Sequence, residues 1–272
     1  MTISTLIDHY VRVKTLHAPM AASLTDKVGH IRRVFGTMAA ASTGESLVMV
    51  ANLAWAGLAP GTIKRYLVQL RAVMSRAYKD GLIARSPVID VPYVNDTVYV
   101  DISGTELNLL LDYIKWTSRP WYALTVILAH TGARLGEALT LTHESFTRHG
   151  TRIAKRVDRR SKTIDRVIPY TPRLLAMVAT SAIFSNGSIT PPGIEAGSVP
   201  TCLGRVLDGA TAALGLPRLR VHDLRHAFAA VLAENGADIP DLVTALGHSS
   251  AAMSMRYRGL VKTKLTGIMG KV

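Results

Sequence analysis

Pro87 and Pro92, within ARSPVIDVPYVNDTVYVDI, separate two regions of helical periodicity. Proline lacks a backbone donor and pushes the preceding residue away from helical geometry, so no regular helix runs through this stretch. It reads as a linker. The 272-residue chain is therefore expected to form two domains, residues 1–91 and 97–272, joined at 92–96.

Ahead of the break, Leu6, Ile7, Tyr10 and Val11 recur at helical spacing, and HIRRVFGTMA continues a helical region as far as the polar ASTGES. Pro60 and Gly61 mark a turn that opens the most regular helix. There Ile63, Tyr66, Leu67, Leu70, Val73, Met74, Ala77 and Tyr78 form one apolar stripe, and Gly81 ends it. Lys64, Arg65, Arg71, Arg76 and Lys79 occupy its other sides, while Asp80 is the sole acid between Thr62 and Arg85. Such a face is either simply solvated or in contact with phosphates.

Beyond the break, Ser103 and Glu106 have capping-box spacing and precede Leu107, Leu110, Leu111 and Ile114, so a helix opens the second domain. RPWYALTVILAHTGARLGEALTL reads as two helical pieces joined near Thr131 and Gly132. TRIAKRVDRRSKTIDRVIPYT has β-branched residues in two short runs around a polar segment, the pattern of an antiparallel hairpin. Helices then resume. The expected fold class is mainly α with a small antiparallel β-sheet (α+β).

Charge narrows the partner. Lys and Arg number 32 against 19 Asp and Glu, a formal charge of +13, which favours polyanions and above all nucleic acid. The longest apolar runs, such as LVMVANLAWAGLA, are too short to span a membrane, and MTISTLIDHY has no basic segment ahead of an apolar one, so neither membrane nor secretion is expected. A single cysteine, Cys202, excludes an intrachain disulfide and suits a reducing compartment.

HDLRHAFAAVLAENG then places His222, Arg225 and His226 in the first turns of one helix, where Leu224, Phe228, Val231 and Leu232 supply a buried stripe and leave Arg225 to face elsewhere. An anion at that helix start would gain from unpaired backbone N–H groups and the helix dipole. Alone, the pattern fits an ordinary surface helix. Its company changes that reading: TGARLGEALTL presents Arg134 after a glycine break, and LGHSSAAMSMRYRGL presents His248 with Tyr257 nine positions later.

In this order and spacing, the three segments resemble the boxes of the tyrosine site-specific recombinases, the phage integrase family. LAPGTIKRYLVQLRAVMSRAYKDGLIARSPV is similar to the end of that family's helical core-binding domain, so the resemblance spans nearly the whole chain as a minimal two-domain form. It implies a core-binding domain followed by a catalytic domain, the two forming a basic clamp on duplex DNA. Tyr257 would attack a phosphodiester to give a 3′-phosphotyrosyl intermediate and a free 5′-hydroxyl, without ATP, metal or other cofactor. Arg134 and Arg225 would stabilise the phosphoryl charge, which suits a planar guanidinium that stays charged and binds oxygens in two-pronged fashion. His222 would act as base on a phenol of ordinary pKa ~10. His248 would donate to the scissile phosphate.

The family's hairpin lysine, which protonates the leaving oxygen, corresponds to Lys162, although its distance to Pro169 is one residue short of the usual pattern, which leaves Lys155 and Arg160 as alternatives. Glu137 is expected to brace the first box and Asp223 to cap the helix at His222. The resemblance also implies a homo-tetramer on double-stranded DNA attachment sites, a Holliday junction, integration or excision of a mobile element, action on nucleoid DNA in the cytoplasm, and room for an accessory directionality factor. GLVKTKLTGIMGKV either docks on a neighbouring protomer or closes its own subunit's core. Three other readings stay open: a metal site at His222 and His226, DNA relaxation of the type IB topoisomerase kind, and a catalytically silent DNA-binding protein.

Overall fold

A computed structural model of the chain describes residues 1–16, 19–92, 102–154, 165–180, 189–248 and 254. The chain divides into two compact units, Met1–Val98 and Tyr99–Val272.

The first unit consists of α1 (Ile3–Thr15), α2 (Ala22–Phe35), α3 (Gly44–Ala54) and α4 (Pro60–Lys79). Its core joins Ile3, Leu6 and Ile7 of α1 to Ile31 and Phe35 of α2, Leu47 of α3, and Leu67, Leu70, Val73 and Met74 of α4. Burying each of these large side chains contributes about 1.5–3 kcal/mol. Pro60 stands at the first helical position of α4, where its missing N–H would have had no helical partner anyway.

The stripe read along α4 holds except at its end, where Tyr78 is 51% exposed. Neighbouring helical residues lie about 100° apart, and Ala77 takes the inward position. The proline-containing stretch also starts later as a connection than its composition implied. Ile89 is buried in the first core, and Gly44 lies so near the Val88 carbonyl that a Cβ there would come within 1.7 Å of its oxygen. Apolar burial anchors this segment to its own unit.

The second unit begins with α5 (Gly104–Thr117), opened by the expected capping box: the Glu106 amide donates to Ser103 Oγ at 3.2 Å and the Ser103 amide to Glu106 Oε2 at 2.8 Å. α6 (Arg119–Thr131) follows, then the single-turn α7 (Leu135–Ala138). Leu124, Val126, Ile127, Leu128 and Ala129 are all buried, so α6 is enclosed on every side rather than amphipathic. Strands β1 (Phe146–Thr147), β2 (Gly150–Ile153) and β3 (Arg166–Ile168) form an antiparallel sheet in that order. The β2–β3 pairing sets Thr151 opposite Ile168 and Ile153 opposite Arg166, which is the expected hairpin; the short β1 carries no periodic signal and was not foreseen. Helices α8 (Pro172–Ala179), α9 (Val199–Leu214), α10 (Asp223–Glu234) and α11 (Ile239–Leu246) follow among the described residues. The whole is mainly α with a small antiparallel sheet, as expected.

His130, near the end of α6, has Nδ1 3.0 Å from the Thr171 hydroxyl that caps α8, while its Nε2 is buried without a partner among the described residues. Burial, with a smaller contribution from the Arg173 cation, lowers its pKa to about 4. The folded state therefore keeps this imidazole neutral where the unfolded chain protonates it. The resulting stability is fully present above pH ~6.5 and is lost as pH falls towards ~4, a change of up to about 3 kcal/mol. His130→Gln should flatten the pH dependence of urea midpoints across that window relative to wild type. Parallel curves for the two proteins would contradict this assignment.

Candidate active site

Helix ends build the site. α6 stops at Gly132, whose φ of +60° suits glycine, and the chain turns at once into Arg134. α11 stops at Gly247, φ +63°, and turns into His248. Both ends expose carbonyl oxygens that have no helical donor. Arg225, in the first turn of α10, supplies donors to both: Nη1 donates to the Gly132 carbonyl and Nη2 to the Leu246 carbonyl, each at 2.6 Å. One guanidinium thus joins the turn that carries Arg134 to the turn that carries His248.

This placement corrects the sequence-based view of Arg225 as facing away from the apolar stripe. It is 3% exposed, and it points among the ends of three helices. Helix C-termini concentrate partial negative charge, so a cation is stabilised there even when it is nearly dry. Val231 and Leu232, read as part of the same stripe, are only half-buried.

Arg134 is about one-third exposed, and its Nη1 donates to Glu137 Oε1 at 3.0 Å. Glu137 is buried and accepts a second bond at Oε2 from the Arg134 amide at 2.9 Å. Burial opposes its charge, but the bonds from Arg166 and Arg134 prevail and hold its pKa below the usual carboxylate value. Its geometry is that of the expected brace. Arg166, however, had not been singled out: it donates through Nη2 to Glu137 Oε2 at 2.8 Å and through Nε to the Ala245 carbonyl at 3.0 Å. The signal was present in RVI, because strand alternation puts Arg166 in phase with the inward Ile168 while Val167 faces out.

His222 is the N-cap of α10, with an exposed side chain. Desolvation, followed by the Arg225 cation, lowers its pKa below the ordinary imidazole value, so at neutral pH the ring retains a proton-accepting nitrogen. Its ring stands edge-to-face with that of His226, centroids 4.9 Å apart. Among the described residues no group of three His, Cys, Asp or Glu side chains is placed to hold a metal ion. Asp223 does not cap α10 in the way expected. It sits inside the helix, buried, and accepts from the Arg220 amide at 2.7 Å and from Arg220 Nε and Nη2 at 3.0 and 2.9 Å, which clasps the turn leading into His222. His248 is buried, with Nδ1 2.7 Å from Ser254 Oγ.

Tyr257, Lys162, Lys155, Arg160 and the GLVKTKLTGIMGKV tail lie outside the described residues. On α4, Arg65, Arg71 and Lys79 are exposed on the outward face with Val68 and Tyr78, whereas Lys64 and Arg76 are half-buried. Arg65 donates back to the Gly61 carbonyl at 3.0 Å, and Arg76 pairs with Asp80 at 2.7 Å.

The phage integrase family model matches residues 202–263, a segment that contains His222, Arg225, His248 and Tyr257. An integrase of Mycobacterium phage L5 is 27% identical over 281 residues, covering 93% of this chain and 74% of the relative. The tyrosine recombinase XerC of Agrobacterium fabrum is 26% identical over 239 residues, covering 80% and 73%. The chain is thus similar to integrases and tyrosine recombinases over most of its length, and to the phage integrase family model over residues 202–263.

It is also 29% identical over 216 residues to a putative prophage phiRv2 integrase of Mycobacterium tuberculosis, of which it spans 56%. Its fold matches the Tn1549 transposon integrase in complex with transposon right end DNA, with a TM-score of 0.76 at 18% identity over 94% of both chains. It equally matches a lambda integrase dimer bound to a COC′ core site, at 0.75 and 16% over 95% of both chains. At these identities the structural likeness is one of fold. Among the described residues no helix is long and apolar enough to cross a membrane.

Proposed function

We propose that the protein cuts and rejoins double-stranded DNA at specific attachment sites, integrating or excising a mobile element. The observation that carries the reading is the joining of the Arg134 turn, α10 with His222, and the His248 turn through one buried guanidinium. The chain's formal charge of +13 and the DNA complexes of its structural neighbours support the choice of polymer.

In this mechanism Arg134 and Arg225 offset the charge that grows on the phosphoryl oxygens, the contribution that usually dominates such catalysis. Tyr257 Oη attacks phosphorus as its proton passes to the neutral His222, and the bond from phosphorus to the 5′-oxygen breaks. Lys162 protonates that oxygen, and His248 donates to the phosphate. The phosphotyrosyl bond retains the energy of the bond it replaced, so a 5′-hydroxyl from another strand reverses the steps and reseals the backbone. Repeated on paired strands by a homo-tetramer, the exchange passes through a Holliday junction, with an accessory protein available to set direction. On α4 the exposed Arg65, Arg71 and Lys79 meet the DNA backbone, while Lys64 and Arg76 contribute only to the surrounding field.

A library of nicked duplexes with randomised cores tests this directly, because loss of the short strand beyond the nick traps the covalent complex. Wild type should retain a defined duplex on Tyr257, and Tyr257→Phe should retain none. Specific binding by wild type without any covalent complex would instead identify a silent DNA-binding protein. Capture that survives in Tyr257→Phe would remove the nucleophile assignment.

A further inference from the structure

We propose that Arg166 is a positioning residue that sets Arg134 and His248 relative to each other, an inference that rests on the strand-exchange reading of those two groups. Its side chain is 3% exposed, as befits a group that works through its neighbours rather than on DNA. One edge of the guanidinium reaches Glu137 Oε2 at 2.8 Å, and that carboxylate in turn holds both the backbone amide and the Nη1 of Arg134. The other reach, from Nε to the Ala245 carbonyl at 3.0 Å, fixes the last turn of α11, three residues before His248. Because a guanidinium is planar, the two bonds cannot swing independently. Beside the bridge made by Arg225, Arg166 is therefore a second rigid group that fixes the separation between the two turns.

Two further observations separate this role from simple ion pairing. Arg166 Nη1 is buried and has no hydrogen-bond partner among the described residues, so the side chain is kept although none of them satisfies this donor. Gly247 also lies against it: a Cβ at that position would fall 2.7 Å from Nη1 and 3.2 Å from Cδ and Cζ, so the turn into His248 is moulded on the guanidinium. A buried ion pair is a weak source of stability compared with apolar residues of the same volume. What it supplies here is geometry, and catalytic rates respond steeply to misplacement of about 1 Å, on the order of 10²-fold.

The test uses the full chain and the duplex that wild type captures covalently from the randomised nicked library. Arg166→Lys keeps the charge but cannot hold both acceptors in a plane. Its single-turnover cleavage rate at saturating protein should fall on the order of 10²-fold, while the protein concentration for half-saturation of the duplex changes no more than about threefold. Glu137→Gln should lose rate in the same way, and the double variant should be no slower than the slower single, because both act through one linkage. If Arg166→Lys fails to fold, the Glu137→Gln split between rate and half-saturation decides the matter. A folded Arg166→Lys at the wild-type rate, rate losses that multiply in the double variant, or weakened half-saturation with an unchanged rate would overturn the proposal. Failure of the underlying strand-exchange reading looks different, since wild type itself would then capture no duplex.

Discussion

Arg225→Ala is expected to lose strand cleavage and a large part of the second unit's stability together. The side chain satisfies two buried carbonyls, Gly132 and Leu246, that no longer belong to any helical ladder. Each buried polar group left without a donor costs about 1–3 kcal/mol, so the substitution should remove about 2–6 kcal/mol, read as a lower urea midpoint. On the proposed mechanism, cleavage of the captured duplex should fall by more than about 10³-fold, because the charge assigned to the phosphate disappears along with the joint between the two turns. Arg225→Lys restores the charge at the end of α11 but not the fork. It should recover stability more than rate. An alanine variant with a wild-type midpoint would mean that the carbonyls find other donors, and the joint would then have to be assigned elsewhere.

Gly132→Ala tests the same junction from the other side. Its φ of +60° costs an alanine about 1 kcal/mol, and the added Cβ would lie 2.4 Å from Phe228 Cδ1 and 3.1 Å from Leu246 Cδ2. Overpacking of this kind adds about 1–3 kcal/mol, for a total of about 2–4 kcal/mol in the urea midpoint. Relief requires α10 to shift at Phe228, one turn from Arg225, so cleavage should slow even in protein that remains folded. Phe228→Leu opens space beside the new methyl and should return part of both losses. If the double variant is as impaired as the sum of its parts, the contact with Phe228 is not the cause.

The helices were legible because their signals lie within a few residues of one another. Pro60 opening α4, the Ser103–Glu106 box opening α5, and the glycine that ends α6 each act over a single turn, where local geometry alone decides the outcome. Arg134, His222, Arg225 and His248 were legible as chemical types in order. Arg166 was not, although its strand phase pointed inward: a charged residue in a short strand reads as solvent-facing until a buried carboxylate is known to oppose it. The two-residue β1 left no trace, since two residues show no alternation.

By itself the sequence determined that this chain makes two units, that the second is helical with a small hairpin, and that its cationic boxes resemble those of the phage integrase family. Only the tertiary structure decided what those cations touch. Arg225 finds its acceptors 93 and 21 residues away, and Arg166 finds its own 79 and 29 residues away. Periodicity and capping act over a turn or two, whereas the electrostatics of converging helix ends exist only once the chain has folded and brought its unpaired carbonyls together.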